Sequence, residues 1–301
     1  MPVWSAEEVV DEHRARRLIG SQFPELALDS LELLGEGWDN TVWLVDGRWV
    51  FRFPRREIAV PAISRQVALL PALAPLLPLP TSVPTHVGVP SEAFRWPFTG
   101  SGLVPGREVY VVAPDEDARI ALARPLARFL RALHAAHVDG AESLPVDANR
   151  RSDMSKRARL AAEQLDEVEQ LGAWQRPPDV DEWLEASLRL PPAEGRAVAH
   201  GDLHFRHLLL DDDARAAGVI DWDDMCLADP CIDLMLVWCL LPPAGRGAFL
   251  DEYGPVADDQ LLRARVIALS VSAAVAAYAA TEGHVALLRE AVASLERTAA
   301  A

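Results

Sequence analysis

The sequence predicts an α+β chain with a strand-rich front and a mainly helical back. Three observations carry this. Short apolar runs separated by glycine-bearing turns occupy residues 31–53, a proline-dense stretch follows, and apolar residues recur at spacings of three and four through most of residues 117–297. The 301 residues, half of them hydrophobic, supply apolar mass for one large or two modest cores.

In the front, residues 31–34 and 41–45 flank Gly35-Glu36-Gly37, and Asp46-Gly47 separates the second run from residues 49–53. Three antiparallel strands are expected, with Asp-Gly closing a tight hairpin because both residues tolerate positive φ. A helical pattern runs from about residue 60 to 73. Pro71, Pro75, Pro78, Pro80, Pro84, Pro90 and Pro97 then confine the chain to short strands and turns. Helices are expected over 117–137, with Pro125 marking a break or kink, and over 156–171, 261–281 and 285–297. A lone hairpin pairs 208–210 with 218–220 across the polar turn DDDARAA. The change from strands to helices places two lobes, residues 1–104 and 105–301, joined near 101–106.

Charge narrows the partners. With 45 acidic against 29 basic side chains, the formal charge of -16 repels phosphate backbones and anionic headgroups, so neither nucleic acid nor membrane is expected as a principal partner. The N-terminus mixes acids and bases without a secretory pattern, and the longest apolar stretch, 266–280, is short of the roughly 20 residues that cross a bilayer. A cytoplasmic protein is expected, a monomer or homodimer. Its three cysteines, Cys226, Cys231 and Cys239, lie in one segment without a CxxC pair and read as buried thiols.

The chemistry concentrates in His200-Gly-Asp-Leu-His-Phe-Arg-His207 and Gly218-Val-Ile-Asp-Trp-Asp-Asp224. Asp202 and Asp221 stand at the ends of short apolar elements, where carboxylates converge on a site, and not on a charged helical face. Taken alone, His200, Asp202, His204 and His207 also make a ligand set for a transition-metal hydrolase. That alternative leaves the front half of the chain unexplained.

The order of these features is a glycine-bearing strand turn, a basic residue on a strand, HGD with His207 five residues after its aspartate, then a strand ending in Ile-Asp-Trp. It resembles the kinase-like aminoglycoside phosphotransferase superfamily, and HGDLHxxH with GVIDW is most similar to the macrolide phosphotransferases and related small-molecule kinases. The resemblance implies a protein-kinase-like fold with a nucleotide-binding first lobe and a catalytic, substrate-binding second lobe. It implies transfer of the γ-phosphate of ATP or GTP to a hydroxyl of a macrolide, aminoglycoside or amino-sugar acceptor, with Mg2+ or Mn2+.

On that resemblance, Asp202 is the catalytic residue that orients the acceptor hydroxyl or receives its proton. Asp221 and His207 are the metal ligands, with His207 standing where most of the superfamily has Asn. Gly35, Gly37 and Asn40 belong to the phosphate loop, with Trp38 placed to cover the nucleotide. Arg52 stands for the phosphate-contacting lysine with Gln66 as its helix partner, and the backbone at Val104 meets the base. His200 supports the loop, and Asp229 and Asp233 brace it structurally. Arg52, Gln66 and His207 depart from the usual residues, which keeps a nucleotide-binding module without turnover as an alternative.

Overall fold

A computed structural model describes residues 6–37 and 39–300; Trp38, singled out above, lies outside them. The chain divides into two compact units. One comprises residues up to Pro75 with Thr81–Val104, and the other comprises Leu76–Pro80 with the residues from Pro105 onward.

The first unit opens with α1 (Glu12–Gln22), whose N-terminus is capped by Asp11 accepting from Arg14 N at 2.7 Å. Strands β1 (Leu31–Glu36), β2 (Asn40–Val45) and β3 (Trp49–Pro54) follow, then α2 (Val60–Leu73), β4 (Pro84–Gly88) and β5 (Phe98–Gly102). The three expected strands are part of a five-stranded antiparallel sheet ordered β1-β2-β3-β5-β4. Asp46 and Gly47 have φ of 52° and 61°, the paired left-handed conformation of a two-residue hairpin turn. Phe51, Phe53, Phe94 and Phe98 from the sheet and its loops pack with Trp43, Trp96 and Ile19, and Phe53 stacks on Phe98 at 4.6 Å.

The second unit contains β6 (Arg107–Glu108), α3 (Val109–Val112), α4 (Glu116–His134), α5 (Met154–Gln170) and α6 (Pro178–Ser187). Four short strands follow: β7 (Ala197–Ala199), β8 (Leu208–Leu210), β9 (Ala216–Val219) and β10 (Cys226–Ala228). The unit closes with α7 (Cys231–Leu240), α8 (Pro243–Tyr253), α9 (Asp258–Thr281) and α10 (Val285–Ala299). The hairpin β8–β9 is not isolated: β6 adds a third strand to it, and β7 pairs with β10 in a separate ladder. All three cysteines are free and buried, and burial pushes the thiols of Cys226 and Cys239 up to about 12.

Two further expectations need correction. α4 runs through Pro125 without a break. The proline costs roughly 3 kcal/mol in a helix interior, but Leu122, Leu126, Phe129, Leu130 and Leu133 on the same helix are fully buried at about 1.5–3 kcal/mol each, so packing prevails. α9 is 24 residues long and meets the length and apolarity of a membrane span. Here it packs against α5, α7 and α10, burying Ala264, Ala268, Ala273 and Ala276 as the central helix of the unit.

Candidate active site

The site is assembled on the five short strands of the second unit. β7 leads into His200-Gly201-Asp202, and the chain then folds back on itself: His204 N donates to Asp202 O and His207 N to His204 O, each at 3.0 Å. The segment next enters β8, while Ile220 N, just past β9, donates to His207 O at 3.0 Å. This bond ties the end of β9 to the loop, so Asp221 follows directly at its side. Asp221 has φ of 66°, a left-handed conformation that Asp tolerates better than most residues and that costs of order 1 kcal/mol. Gly201, at φ 88°, has no substitute, since a Cβ there would lie 2.1 Å from the Asp224 carbonyl oxygen.

Asp233, on the first turn of α7, holds this loop from beneath. Its fully buried carboxylate accepts from His200 N at 2.8 Å and Gly201 N at 2.9 Å, and pairs with His134 Nε2 at 3.1 Å. Burial alone would raise this carboxyl, but the hydrogen bond and charge of His134, with His200, hold it below the usual carboxylate value. His134 is itself fixed by Tyr253 Oη at 2.8 Å. Asp229 accepts from Cys231 N at 2.9 Å at the start of α7.

The three histidines have different roles. His200 Nε2 lies 3.0 Å from Ile220 O, which can only accept, so the proton sits on Nε2 and Nδ1 accepts from Asp202 N at 3.3 Å. Burial lowers the pKa of His200 and drives that of His204 well below its ordinary value, so both rings are neutral braces. His207 commits Nδ1 as donor to Asp202 O at 2.7 Å. In the neutral ring this turns the Nε2 lone pair toward Asp221 Oδ2, 3.4 Å away. His207 Nδ1 is also 3.9 Å from Asp202 Oδ2, so His207 is the link between the two acids.

A divalent cation fits this pair. Two ligands at about 2.1 Å from one ion at a right angle are about 3 Å apart, and a ring whose other nitrogen donates to a backbone carbonyl is the usual form of a ligating histidine. Asp202, His204 and His207 also bring ligand atoms within 4.8 Å of one another. The four-residue hydrolase set does not form, because both nitrogens of His200 are engaged elsewhere and Asp202 Oδ1 is taken by Arg151.

Arg151 was not marked by any local pattern. It lies in the loop between α4 and α5, with Nη1 2.9 Å from Asp202 Oδ1 and Nη2 2.7 Å from Asp224 Oδ2. Burial works against its charge, but Asp202 and Asp224 raise its pKa above the ordinary value. Asp224 is raised in turn by burial, with Arg151 opposing.

The remaining sequence candidates lie in the first unit. Gly35 lies inside β1 opposite Val42, and Gly37 lies just past the end of that strand, where its N donates to Asn40 O at 2.9 Å. Neither glycine has positive φ, and a Cβ at Gly35 would meet nothing within 4 Å. The strand itself therefore does not require glycine at 35. Asn40 is buried at the start of β2. Arg52 sits on β3 opposite Val42 and Thr99, Gln66 is buried on α2, and Val104 is buried at the end of the unit.

Residues 30–266 match the model of the phosphotransferase enzyme family. The uncharacterized protein YcbJ of Bacillus subtilis (strain 168) is 26% identical over 218 residues, spanning 68% of this chain and 67% of that protein. Among solved structures, the GDP and kanamycin complex of APH(2")-IIia superposes with a TM-score of 0.70 at 24% identity, covering 95% of this chain and 98% of that one. The apoenzyme of macrolide 2'-phosphotransferase MphH from Brachybacterium faecium gives 0.61 at 25% identity, covering 95% and 98%. Macrolide 2'-phosphotransferase type I gives 0.60 at 23% identity, covering 98% and 99%. These likenesses show a kinase-like fold.

Proposed function

The chain belongs to the phosphotransferase enzyme family, and from that premise we propose that it transfers the γ-phosphoryl group of ATP or GTP to a hydroxyl of a small molecule, with Asp202 as the catalytic residue. The observation that carries this reading is the position of His207. It reaches the backbone and carboxylate of Asp202 on one side and the carboxylate of Asp221 on the other. A phosphotransferase needs this juxtaposition, with an acid for the incoming alcohol beside donors for the cation that accompanies the nucleotide.

Asp221 Oδ2 and His207 Nε2 would hold Mg2+ or Mn2+; the imidazole nitrogen makes manganese the better match of the two. When bound, the ion neutralises charge on the phosphate oxygens. Asp202 Oδ2, the oxygen not paired with Arg151, accepts a hydrogen bond from the acceptor hydroxyl and aligns its oxygen with the γ-phosphorus. As the new O–P bond forms and the bond to the β-phosphate oxygen breaks, the hydroxyl proton passes to Asp202. Asp233 keeps the loop from shifting during this exchange through its bonds to His200 N and Gly201 N.

In the first unit, Gly35, Gly37 and Asn40 form the phosphate loop, Arg52 contacts phosphate, and the backbone at Val104 meets the base. Glycine at 35, which the strand does not demand, leaves the backbone open to close approach by phosphate oxygens. The acceptor is an antibiotic-like macrolide or aminoglycoside, or an amino sugar, in keeping with the kanamycin bound to one structural relative and the macrolide named for two others. Free cysteines and a nucleotide donor suit the cytoplasm.

The test is 31P NMR of purified protein with ATP or GTP, Mg2+ or Mn2+, and a panel of kanamycin, gentamicin, streptomycin, a macrolide and glucosamine. A phosphate-ester product that disappears with EDTA supports the reading. Nucleotide binding with no product across the panel favours the module without turnover.

A further inference from the structure

The loop carrying Arg151 is built to hold that side chain in place. Asp147 Oδ1 accepts Arg151 N at 2.8 Å, and its Oδ2 accepts Ser152 N at 2.9 Å and Ser152 Oγ at 2.6 Å. Asp147 N in turn donates to Leu227 O on β10 at 3.0 Å, so the loop is pinned to the ladder that also carries the start of the catalytic loop. The neighbouring Arg150 is committed to Asp153 and leaves the site to Arg151.

The guanidinium meets three acceptors at once: Asp202 Oδ1, Asp224 Oδ2 and the carbonyl of Gly201. Its side chain is only 14% exposed. A planar fork that spans two carboxylates and a carbonyl fixes direction as well as charge, which a flexible ammonium does not. Asp202 is thereby divided. Oδ1 belongs to Arg151, and Oδ2 faces His204 Nε2 and His207 Nδ1, each at 3.9 Å.

We propose that Arg151 is a positioning residue for phosphoryl transfer: anchored on Asp224, it fixes the Asp202 carboxylate so that Oδ2 is the oxygen presented to the acceptor hydroxyl. This rests on the reading of Asp202 given above. The carboxylate held in this way orients the alcohol oxygen toward the γ-phosphorus, and the hydroxyl proton passes to Oδ2 as the O–P bond forms, in keeping with a loose transition state. Arg151 acts through Asp202 and makes no contact of its own with the transferring group.

The experiment compares wild type, Arg151→Met, Arg151→Lys, Asp202→Asn and the Arg151→Met/Asp202→Asn double variant. It reads kcat and KM with the best acceptor of the panel and, without acceptor, hydrolysis of ATP and GTP. Nucleotide affinity is measured by calorimetry. Arg151→Met is expected to lower kcat by roughly 10- to 100-fold, the scale of a displaced catalytic group, with nucleotide affinity within about 2-fold. Arg151→Lys recovers part of the loss. In the Asp202→Asn background the Arg151 substitution has an effect below about 2-fold, because the group it positions is already gone.

An equal loss in both backgrounds, or a fall in kcat matched by the same fall in nucleotide affinity, overturns the proposal. Should Arg151→Met fail to fold, Arg151→Lys is read by the same comparison. Wild-type turnover in Asp202→Asn overturns the reading of Asp202 instead. Independently of turnover, a crystal structure of Arg151→Met or Arg151→Lys is expected to show the Asp202 carboxylate rotated, and an unmoved carboxylate overturns the role of Arg151.

Discussion

Asp233→Asn tests the support of the catalytic loop with almost no change in volume. The native carboxylate accepts three hydrogen bonds while fully buried: His200 N and His134 Nε2 at Oδ2, and Gly201 N at Oδ1. An asparagine keeps at most the acceptors on one oxygen, so its amide nitrogen faces a backbone N–H or the histidine. Loss of one charge-assisted bond costs about 1.5–3 kcal/mol, and a buried donor left facing a donor costs about 1–3 kcal/mol more. The sum, about 2.5–6 kcal/mol, is a large share of the 5–15 kcal/mol typical of a folded domain. At 2–4 °C per kcal/mol for a unit of this size, scanning calorimetry should show the melting point falling by about 5–24 °C. An Asp233→Asn protein melting within 2 °C of wild type would refute the idea that this carboxylate holds the loop.

Gly201→Ala combines a left-handed φ with a Cβ placed 2.1 Å from the Asp224 carbonyl oxygen, so the variant is expected to be insoluble or to melt at least 10 °C lower by circular dichroism; unchanged melting contradicts the loop geometry. Acid should weaken the fold through His200 and His204. Their pKa values are held down in the folded state, so the unfolded chain binds more protons as pH falls through about 6.5, and stability drops by up to about 1.4 kcal/mol per pH unit for each ring. Melting curves from pH 7.5 to 5.5 should therefore be shallower in pH for His204→Gln than for wild type, and equal slopes would remove His204 from that linkage.

What could be read from the sequence follows the distance between interacting residues. Asp202, His207 and Asp221 come together through one tight loop and the adjoining β8–β9 hairpin, so a reader of HGDLHFRH and GVIDW already holds most of the local geometry. The Asp46-Gly47 turn is equally local, since two left-handed residues are what that dipeptide supplies. Arg151 is different. Its partners lie 51 and 73 positions along the chain, and nothing in DANRRSD distinguishes it from Arg150, whose charge is spent on Asp153.

The two-residue β6 and the three-residue β7 and β10 carry too little periodicity to separate from loop, and each pairs with a strand far away in the sequence, β6 with β8 and β7 with β10. Pro125 misled because its local cost is plain in the sequence, while the burial that offsets it is not. The length of α9 misleads in the other direction: an apolar helix packed against α5, α6, α7 and α10 has the composition of a membrane span.

The most direct measurement is the rate of γ-phosphoryl transfer by Asp202→Asn beside wild type, followed by 31P NMR with nucleotide and the best acceptor, with folding of the variant checked by its melting point. A fall of about 100-fold or more at undiminished nucleotide affinity is predicted, because the amide cannot accept the proton and cannot pair with Arg151 as the carboxylate does. Turnover equal to wild type would contradict the assignment of Asp202 as the group that receives the acceptor hydroxyl.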